Sequence, residues 1–240
     1  PILCSVIGDD DKGMIFEKLM LEEQLDTNAI IKSKNRKTTI KTRVIANNQH
    51  QIRVDEEDVH DINEEKQILS KISDVIHTMN VIILQDYNKG VLTKKVIRET
   101  IKLAKENNIP IVVDPKTKNY NSYAGCTIFK PNLKEIQKGM NISFDSGDPI
   151  EIESILDKLR NMLNVDMILL TLSEKGLCIK TKEKFLHQKI YPRKIIDVSG
   201  AGDTVISIAS LCITEKISHE ELAKFCNLAG GLVCEEAGVV

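Results

Sequence analysis

Residues 81–114 read VIILQDYNKGVLTKKVIRETIKLAKENNIPIVVD, and this stretch decides the fold. Two short apolar runs within it, VIILQ at 81–85 and IVVD at 111–114, have the length and continuous hydrophobicity of buried strands. Between them, Thr93 is placed to cap a helix that runs to about Asn107. Strand–helix–strand order predicts two parallel strands joined by a helix.

The same alternation continues through the rest of the chain. TIFK at 127–130 and MILLT at 167–171 are further strand-like runs, and residues 150–163 between them have a helical pattern. Two more helices are expected, from about Ala201 and from Ser218. The sequence therefore predicts an α/β fold in which helices cover a mostly parallel sheet.

The first 60 residues differ from this pattern. Residues 38–59 alternate polar and apolar side chains on both sides of the turn-prone Asn47-Asn48, which indicates a β-hairpin or ribbon with one solvent-exposed face. We therefore expect the start of an α/β core at 1–34, a β-ribbon at 35–60 and the remainder of the core at 61–240. Because the chain begins and ends within apolar, element-like runs, we expect residues to be missing at both ends.

Composition narrows the classes of function. Of 240 residues, 42% are hydrophobic and 28% are charged, with a net charge of −2, so no strong field attracts nucleic acid or anionic membranes. No signal peptide and no run of 18 apolar residues occurs. The six cysteines form no C-x-x-C pair and fit buried thiols in a reducing compartment. We expect a cytoplasmic protein that binds neither nucleic acid nor membrane.

Polar residues follow the strand-like runs. Asp86, Asp114, Asn132, Thr171 and Asp203 each follow such a run or lie just beyond one. Sites in parallel sheets lie beyond the carboxyl ends of the strands. These five residues therefore predict one shared cleft.

The stretch DVSGAGDT at 197–204 carries the chemistry. Gly200 and Gly202 flank Ala201, so the backbone can turn tightly and present open N–H groups at a helix start, which form an anion site. Asp203 in the same turn can serve as a general base, and this combination suggests phosphoryl transfer. The alternative is a Gly-rich turn whose Asp is favoured by the helix dipole. No G-x-x-x-x-G-K-[ST] occurs, which excludes a Walker-type P-loop.

DVSGAGDT resembles the D-T-x-G-A-G-D signature of the ribokinase-like (PfkB) sugar kinases, with Val198 in place of the common Thr. Four more stretches match that family in order: LQDYNKGVLT at 84–93, VVDPK at 112–116, NLKE at 132–135 and TLSEKG at 171–176. The set is most similar to the branch that phosphorylates D-glycero-D-manno-heptose 7-phosphate. The resemblance implies a ribokinase-like fold with a small β-ribbon lid, with ATP and Mg²⁺ as cofactors.

The resemblance also implies roles for the residues around the phosphates. Asp203 would be the base, and the N–H groups of Gly200, Ala201 and Gly202 would stabilise the transferring phosphoryl group. Asn132 and Glu135 would organise Mg²⁺, directly or through water. The alternative for this N-x-x-E pair is a capped helix start with an acidic third residue.

For the nucleotide, the resemblance points to Thr171, Ser173 and Gly176. The alternative for this stretch is a hairpin turn in which Gly176 supplies a positive φ. Asn227 is a further candidate for nucleotide contact, although an Asn in a helix is common and needs no ligand to explain it.

For the sugar, two sets of residues are candidates. One set lies in the loops after the strands, and either of its lysines, Lys89 or Lys116, can hold the γ-phosphate or the sugar's own phosphate. The alternative for these lysines is a solvated loop charge. The ribbon residues follow the R-x5-Q-x3-R spacing of the heptose branch, and the alternative is a charged, exposed strand face. The first set is Asp86, Lys89, Asp114 and Lys116, and the ribbon set is Arg43, Gln49 and Arg53.

The leading hypothesis is a kinase that transfers a phosphoryl group from ATP to the anomeric hydroxyl of the heptose 7-phosphate, giving the 1,7-bisphosphate. The resemblance also implies a homodimer that forms through the β-ribbon lid. The alternatives are another PfkB-type kinase, for ribose, fructose, fructose phosphate or a nucleoside, and a non-catalytic nucleotide-binding fragment. Arg43 and Arg53 favour a phosphorylated sugar, because a neutral sugar has no use for two arginines.

Overall fold

The computed structural model describes residues 1–46 and 49–238. The predicted Asn47-Asn48 turn lies outside the described residues, as do the side chains of residues 45, 46, 49 and 50. The chain divides into two compact units, each described separately below. The first is Pro1–His77 with Asn88–Thr100, and the second is Thr78–Tyr87 with Ile101–Val240.

The first unit combines a small α/β core with a β-ribbon. Strands β1 and β2 pair in parallel, and buried apolar residues from both strands pack with Ile62, Ile68 and Val96. Helix α1 begins at a side-chain cap, because Asp10 accepts a hydrogen bond of 2.8 Å from the N–H of Gly13. The elements are β1 (Ser5–Gly8), α1 (Asp11–Glu22), β2 (Ile30–Ser33), β3 (Ile40–Ala46), β4 (Gln49–Glu56) and α2 (Glu65–Val75).

The ribbon is the antiparallel pair β3–β4, as the alternation of residues 38–59 predicted. Arg43 lies opposite Arg53 and Val44 lies opposite Ile52. Since successive side chains in a strand point to opposite faces, the ribbon has one charged face and one apolar face. On the apolar face, Val44, Ile52 and Val54 are 46%, 57% and 49% exposed.

The second unit is built on a six-stranded sheet with the order β10-β9-β8-β7-β6-β5. Strands β5 to β8 are parallel neighbours, whereas β9 and β10 are antiparallel. The strands are β5 (Ile82–Gln85), β6 (Ile111–Asp114), β7 (Ile128–Phe129), β8 (Met167–Thr171), β9 (Leu177–Lys180) and β10 (Phe185–Gln188). The helices are α3 (Lys94–Glu106), which contributes to both units, α4 (Leu133–Met140), α5 (Pro149–Leu163), α6 (Ala201–Thr214) and α7 (His219–Val233).

The core of the second unit lies where α6 and α7 cover the sheet. Val112, Ile128 and Leu169 are fully buried there beside residues of both helices. Cys226 belongs to this cluster, and burial raises the pKa of its thiol to about 12, so it packs as a small apolar group. All six cysteines are free thiols. Within the described residues, no helix has the length and apolar character needed to cross a membrane.

Candidate active site

The predicted strand-end residues of the second unit meet at one edge of its sheet. Asp86 follows β5 and its N–H donates to the carbonyl of Asp114, the last residue of β6, at 3.0 Å. Thr171 ends β8 and forms a parallel bridge with Asn132. Because β5 to β8 run in parallel, their carboxyl ends share this edge, as the sequence predicted.

The Gly-Ala-Gly-Asp turn begins α6. Gly200 is the N-cap with φ of 80°, a conformation that favours glycine. The N–H of Ala201 donates to the carbonyl of Val198 at 3.3 Å. By helix geometry, the N–H groups of Gly202 and Asp203 have no acceptor within the helix. The N–H of Gly200, the N-cap, belongs to the same group of amides without a helical acceptor. The amides open to an anion are therefore those of Gly200, Gly202 and Asp203, whereas the predicted donor Ala201 is already engaged.

Asp203 is exposed and is held by one of its two carboxylate oxygens. Its Oδ1 accepts hydrogen bonds from Gln85 Nε2 at 2.8 Å and from the Tyr87 hydroxyl at 3.1 Å. Among residues 1–46 and 49–238, no side chain donates to Oδ2. Burial, followed by the charge of Asp203, raises the pKa of Tyr87 to about 12, so the hydroxyl remains a donor at neutral pH. Sequence reasoning singled out neither Gln85 nor Tyr87.

A buried ion pair lies beside this turn. Lys130 is 3% exposed, and its Nζ lies 3.1 Å from Asp114 Oδ2. Gln85 Nε2 also donates to Asp114 Oδ2, at 2.9 Å. A Cβ atom at Gly202 would lie only 3.7 Å from Lys130 Nζ, which places the turn next to this ammonium group. Sequence reasoning missed Lys130, whose only signal was a charge between an apolar run and Pro131.

Asp86 is a further buried carboxylate at this edge, at 3% exposure. Its Oδ2 accepts a hydrogen bond of 2.6 Å from the hydroxyl of Tyr123. Burial and the charge of Asp86 raise the pKa of Tyr123 well above its usual value, so this hydroxyl also stays protonated and donates. The hydrogen bond from the fully buried Tyr123 thus fixes the Asp86 carboxylate.

Asn132 and Glu135 form a capping box at the start of α4. Asn132 Oδ1 accepts from the N–H of Glu135 at 3.0 Å, and Glu135 Oε2 accepts from the N–H of Asn132 at 2.9 Å. Glu135 Oε1 is paired with Lys116 Nζ. Burial works to lower the pKa of Lys116, but the bond to Glu135 and the charge of Asp114 outweigh it, so the pKa is raised and the ammonium group stays charged.

These contacts limit how a metal ion can bind here. Both oxygens of Glu135 already accept hydrogen bonds, so the residue does not fit as a direct Mg²⁺ ligand unless Lys116 moves. Each oxygen retains a second lone pair, which fits contact through a metal-bound water. In the described part of the chain, no group of three or more His, Cys, Asp or Glu side chains is arranged to hold a metal ion.

The nucleotide candidates lie in a tight turn and on the last helix. Gly176 has φ of 90°, and a Cβ atom there would lie 2.0 Å from the carbonyl oxygen of Gln188, so only glycine fits. Ser173 has φ of 52° at the start of the same turn. Asn227 Nδ2 donates to the carbonyl of Lys189 at 2.9 Å, which ties α7 to the segment after β10. Gly176 and Asn227 thus each have a local structural role.

The sugar candidates of the first unit lie along a chain of alternating charges. Lys89 Nζ is paired with Glu57, and Lys41 Nζ lies 3.1 Å from both Glu57 and Asp55. Arg53 Nε lies 2.9 Å from Asp55 Oδ1. Hydrogen bonds from Lys89 and Lys41 lower the pKa values of Glu57 and Asp55, respectively.

This chain of charges ends at the two arginines that face each other across the ribbon, Arg43 and Arg53. Within residues 1–46 and 49–238, Arg53 is paired with Asp55, whereas Arg43 has no such ion pair. The side chain of Gln49, the third ribbon candidate, lies outside the described residues.

Residues 2–240 match the model of the pfkB family of carbohydrate kinases. The chain belongs to this family. The Bifunctional protein HldE of Aliarcobacter butzleri (strain RM4018) is 38% identical over 238 residues, which are 98% of this chain and 49% of that protein. The protein of the same name from Helicobacter pylori (strain Shi470) is 35% identical, covering 98% of this chain and 51% of that protein. The chain therefore spans about half the length of the curated relatives it matches.

Solved structures share the fold at low sequence identity. A ribokinase from Arabidopsis thaliana, complexed with ribose and ATP, matches with a TM-score of 0.75 at 18% identity, over 98% of this chain and 76% of its own. Phosphofructokinase-2 from Escherichia coli, in complex with potassium, matches with a TM-score of 0.82 at 17% identity, over 97% of this chain and 75% of its own. The predicted family and the predicted ribokinase-like α/β fold are both confirmed.

The buried pair gives a stability prediction. Lys130→Met should destabilise the protein by about 3–5 kcal/mol, because it leaves the Asp114 carboxylate buried without its cation. The matched control is Lys184→Met, which breaks the exposed pair with Glu220 and should cost at most about 1 kcal/mol. Urea unfolding measures both free energies. Equal losses of unfolding free energy in the two variants would show that the buried pair contributes no more to stability than the exposed pair.

Proposed function

We propose that this chain is an ATP-dependent sugar kinase that phosphorylates the anomeric hydroxyl of D-glycero-D-manno-heptose 7-phosphate, giving the 1,7-bisphosphate. The observation that carries the kinase function is the turn at the start of α6, where open amides lie beside an anchored carboxylate. Membership of the pfkB family supports the same activity. The heptose is proposed from the motifs and the ribbon arginines, and the match to proteins named Bifunctional protein HldE is consistent with it.

The chemistry follows from what phosphoryl transfer to an alcohol requires. A base must take the hydroxyl proton, and fixed positive groups must stabilise the charge on the transferring group. Asp203 Oδ2, which receives no bond from a described side chain, is the proposed base. The N–H groups of Gly200, Gly202 and Asp203, with Lys130 close by, are the proposed positive groups. The turn therefore supplies the base and the charge stabilisation together.

ATP and Mg²⁺ are the proposed cofactors. Binding of ATP is supported by the fold shared with a ribokinase that was solved with ribose and ATP. Thr171, Ser173, Gly176 and Asn227 are the proposed nucleotide contacts. Asn132 and Glu135 would hold the metal through water, because both Glu135 oxygens are engaged. When bound, Mg²⁺ would neutralise charge on the phosphates.

The ribbon provides the argument for a phosphorylated sugar. Like charges directly opposite each other on an antiparallel pair are destabilising. Arg43 and Arg53 are such a pair, and the ion pair between Arg53 and Asp55 offsets only one of the two charges. An arginine pair of this kind is favourable when an anion binds between the guanidinium groups. We propose that this anion is the sugar's own phosphate, with Gln49 contacting sugar hydroxyls.

The strand-end residues outside the turn complete the proposed substrate set. Asp86 and Asp114 would contact the sugar, and Lys89 and Lys116 would contact phosphate. In the structure both lysines are paired with glutamates. Phosphate binding by either lysine therefore requires it to share its charge with, or leave, its carboxylate partner.

We further propose a cytoplasmic homodimer that forms through the ribbon. The support is its apolar face, on which Val44, Ile52 and Val54 are about half exposed. Covering these side chains in a second copy would stabilise a dimer by removing apolar surface from water. Phosphorylation of ribose, fructose, fructose phosphate or a nucleoside is the alternative activity, and a non-catalytic nucleotide-binding role is the alternative without turnover.

The proposed base is tested by Asp203→Asn. The variant should fold and bind ATP but lose at least about 10²-fold in turnover, because the amide cannot accept the hydroxyl proton. The assay is ATP consumption by the full-length protein against a panel of sugars and sugar phosphates. Asp166→Asn, at an exposed aspartate of the same unit, is the control. If Asp203→Asn keeps more than half of the parent's turnover, Asp203 is not the base.

The metal role is tested by Glu135→Gln. The Mg²⁺ concentration that gives half-maximal rate should rise several-fold, since a neutral amide holds metal-bound water less strongly, while KM for the sugar phosphate stays unchanged. The control is Lys116→Met, which breaks the same ion pair but keeps the carboxylate. A similar rise in both variants, or in neither, would count against a metal role for Glu135.

The sugar phosphate is tested by Arg43→Ala and Arg53→Ala. Each should raise KM for the sugar phosphate by about 10- to 150-fold, which corresponds to losing a charge-assisted bond of about 1.5–3 kcal/mol. KM for ATP should not change, and unphosphorylated sugars should be affected little. Arg98→Ala, an exposed arginine on α3, is the control. If both ribbon variants keep the parent KM, the proposal of a heptose phosphate substrate loses its main support. The proposal of kinase activity is unaffected, because it rests on the turn at the start of α6.

A further inference from the structure

We propose that Gln85 and Tyr87 are positioning residues, which hold the Asp203 carboxylate so that only Oδ2 faces the substrate hydroxyl. This inference rests on the proposed role of Asp203 as the base. It goes beyond that role because it assigns a function to two side chains that take no proton themselves. The three residues belong to the same compact unit.

The geometry is that of an anchored carboxylate. A carboxylate oxygen has two lone pairs, and Asp203 Oδ1 uses both, for Gln85 Nε2 at 2.8 Å and for the Tyr87 hydroxyl at 3.1 Å. The two donors come from the end of β5 and the residue two positions later. Two donors on one oxygen fix both the position and the rotation of the group, which leaves the other oxygen for a reacting proton.

The anchor is itself tied to the core. Gln85 Nε2 bonds to Asp114 Oδ2 at 2.9 Å as well as to Asp203, and Asp114 is paired with the buried Lys130 at 3.1 Å. An unbroken series of contacts thus runs from a buried ammonium group to the exposed carboxylate. Asp203 is exposed in the first turn of α6, where a side chain without such contacts would sample several rotamers.

The chemistry of the two donors suits this role. A Gln amide does not titrate, and it carries two N–H donors, so it can bridge two carboxylates without adding charge. The Tyr87 hydroxyl stays protonated at neutral pH, because burial and the charge of Asp203 raise its pKa to about 12. Neither group competes with Asp203 for the substrate proton. Positioning of a catalytic group within reach of its substrate is a major source of rate.

A double-mutant cycle tests the inference. Tyr87→Phe and Gln85→Met, which remove the donors but keep most of the side-chain volume, are each made in the parent full-length protein and in Asp203→Asn. In the parent, each should lower kcat by about 10-fold with both KM values within about twofold, since orientation is lost and binding is not. In the Asp203→Asn protein, each should change the residual rate by less than about twofold, because contacting residues couple.

Two further variants separate positioning from packing. Gln85→Glu keeps the shape of the side chain but loses its donors and adds a charge beside Asp114 and Asp203, so it should lower kcat more than Gln85→Met does. Tyr191→Phe removes the hydroxyl of another exposed tyrosine in the same unit and should leave kcat unchanged. Thermal unfolding identifies any variant that fails to fold. If a Gln85 variant fails, the Tyr87→Phe cycle decides the test on its own.

The outcomes distinguish this inference from the proposed function. If Asp203→Asn itself keeps the parent rate, the proposed base is wrong and the inference falls with it. If Asp203→Asn is slow but Tyr87→Phe and Gln85→Met both keep the parent kcat, only the inference is overturned. Equal losses in the parent and Asp203→Asn backgrounds would also overturn it, because they would indicate a general structural role.

Discussion

The ion pair between Lys130 and Asp114 is the contact on which the site of the second unit depends. Both side chains are almost fully buried, at 3% and 8% exposure. Removing a charge from water costs several kcal/mol, so each member is tolerated only because the other is present. The pair fixes the Asp114 oxygen that Gln85 bonds to, and Gln85 in turn bonds to Asp203. The position of an exposed carboxylate is thereby determined by a charge in the core.

The same edge of the sheet holds a second pair built on the same principle. Glu135 closes the capping box of α4 and neutralises Lys116, so one carboxylate both starts a helix and fixes a cation. Carboxylates and lysines are thus matched before any ligand arrives. An incoming polyphosphate would find cations that are already positioned, and binding would redistribute their charge between phosphate and carboxylate.

Much of this arrangement could be predicted from the sequence, and the omissions have physical reasons. Strands β6 and β8 begin and end where their continuous apolar runs do, because a buried parallel strand reads as such a run. Strand β2 was not predicted, since IIKS at 30–33 is short and lacks a clear period. Gln85 and Tyr87 were missed as well. Their partner Asp203 is more than 100 residues away in sequence, and no local pattern encodes a contact that only the folded sheet creates.

The proposed function gives the turn at the start of α6 and the ribbon arginines different tasks. As the proposed site of phosphoryl transfer, the turn needs only a hydroxyl and a phosphoryl donor, so its geometry does not select the sugar that carries the hydroxyl. Choice of sugar must come from residues that contact the rest of the molecule. In the proposed function this choice falls to Arg43 and Arg53, whose like charges lie opposite each other and are only partly offset by the ion pair between Arg53 and Asp55. A substrate phosphate that relieves this repulsion gains binding energy that an unphosphorylated sugar does not, and this difference is specificity in the strict thermodynamic sense.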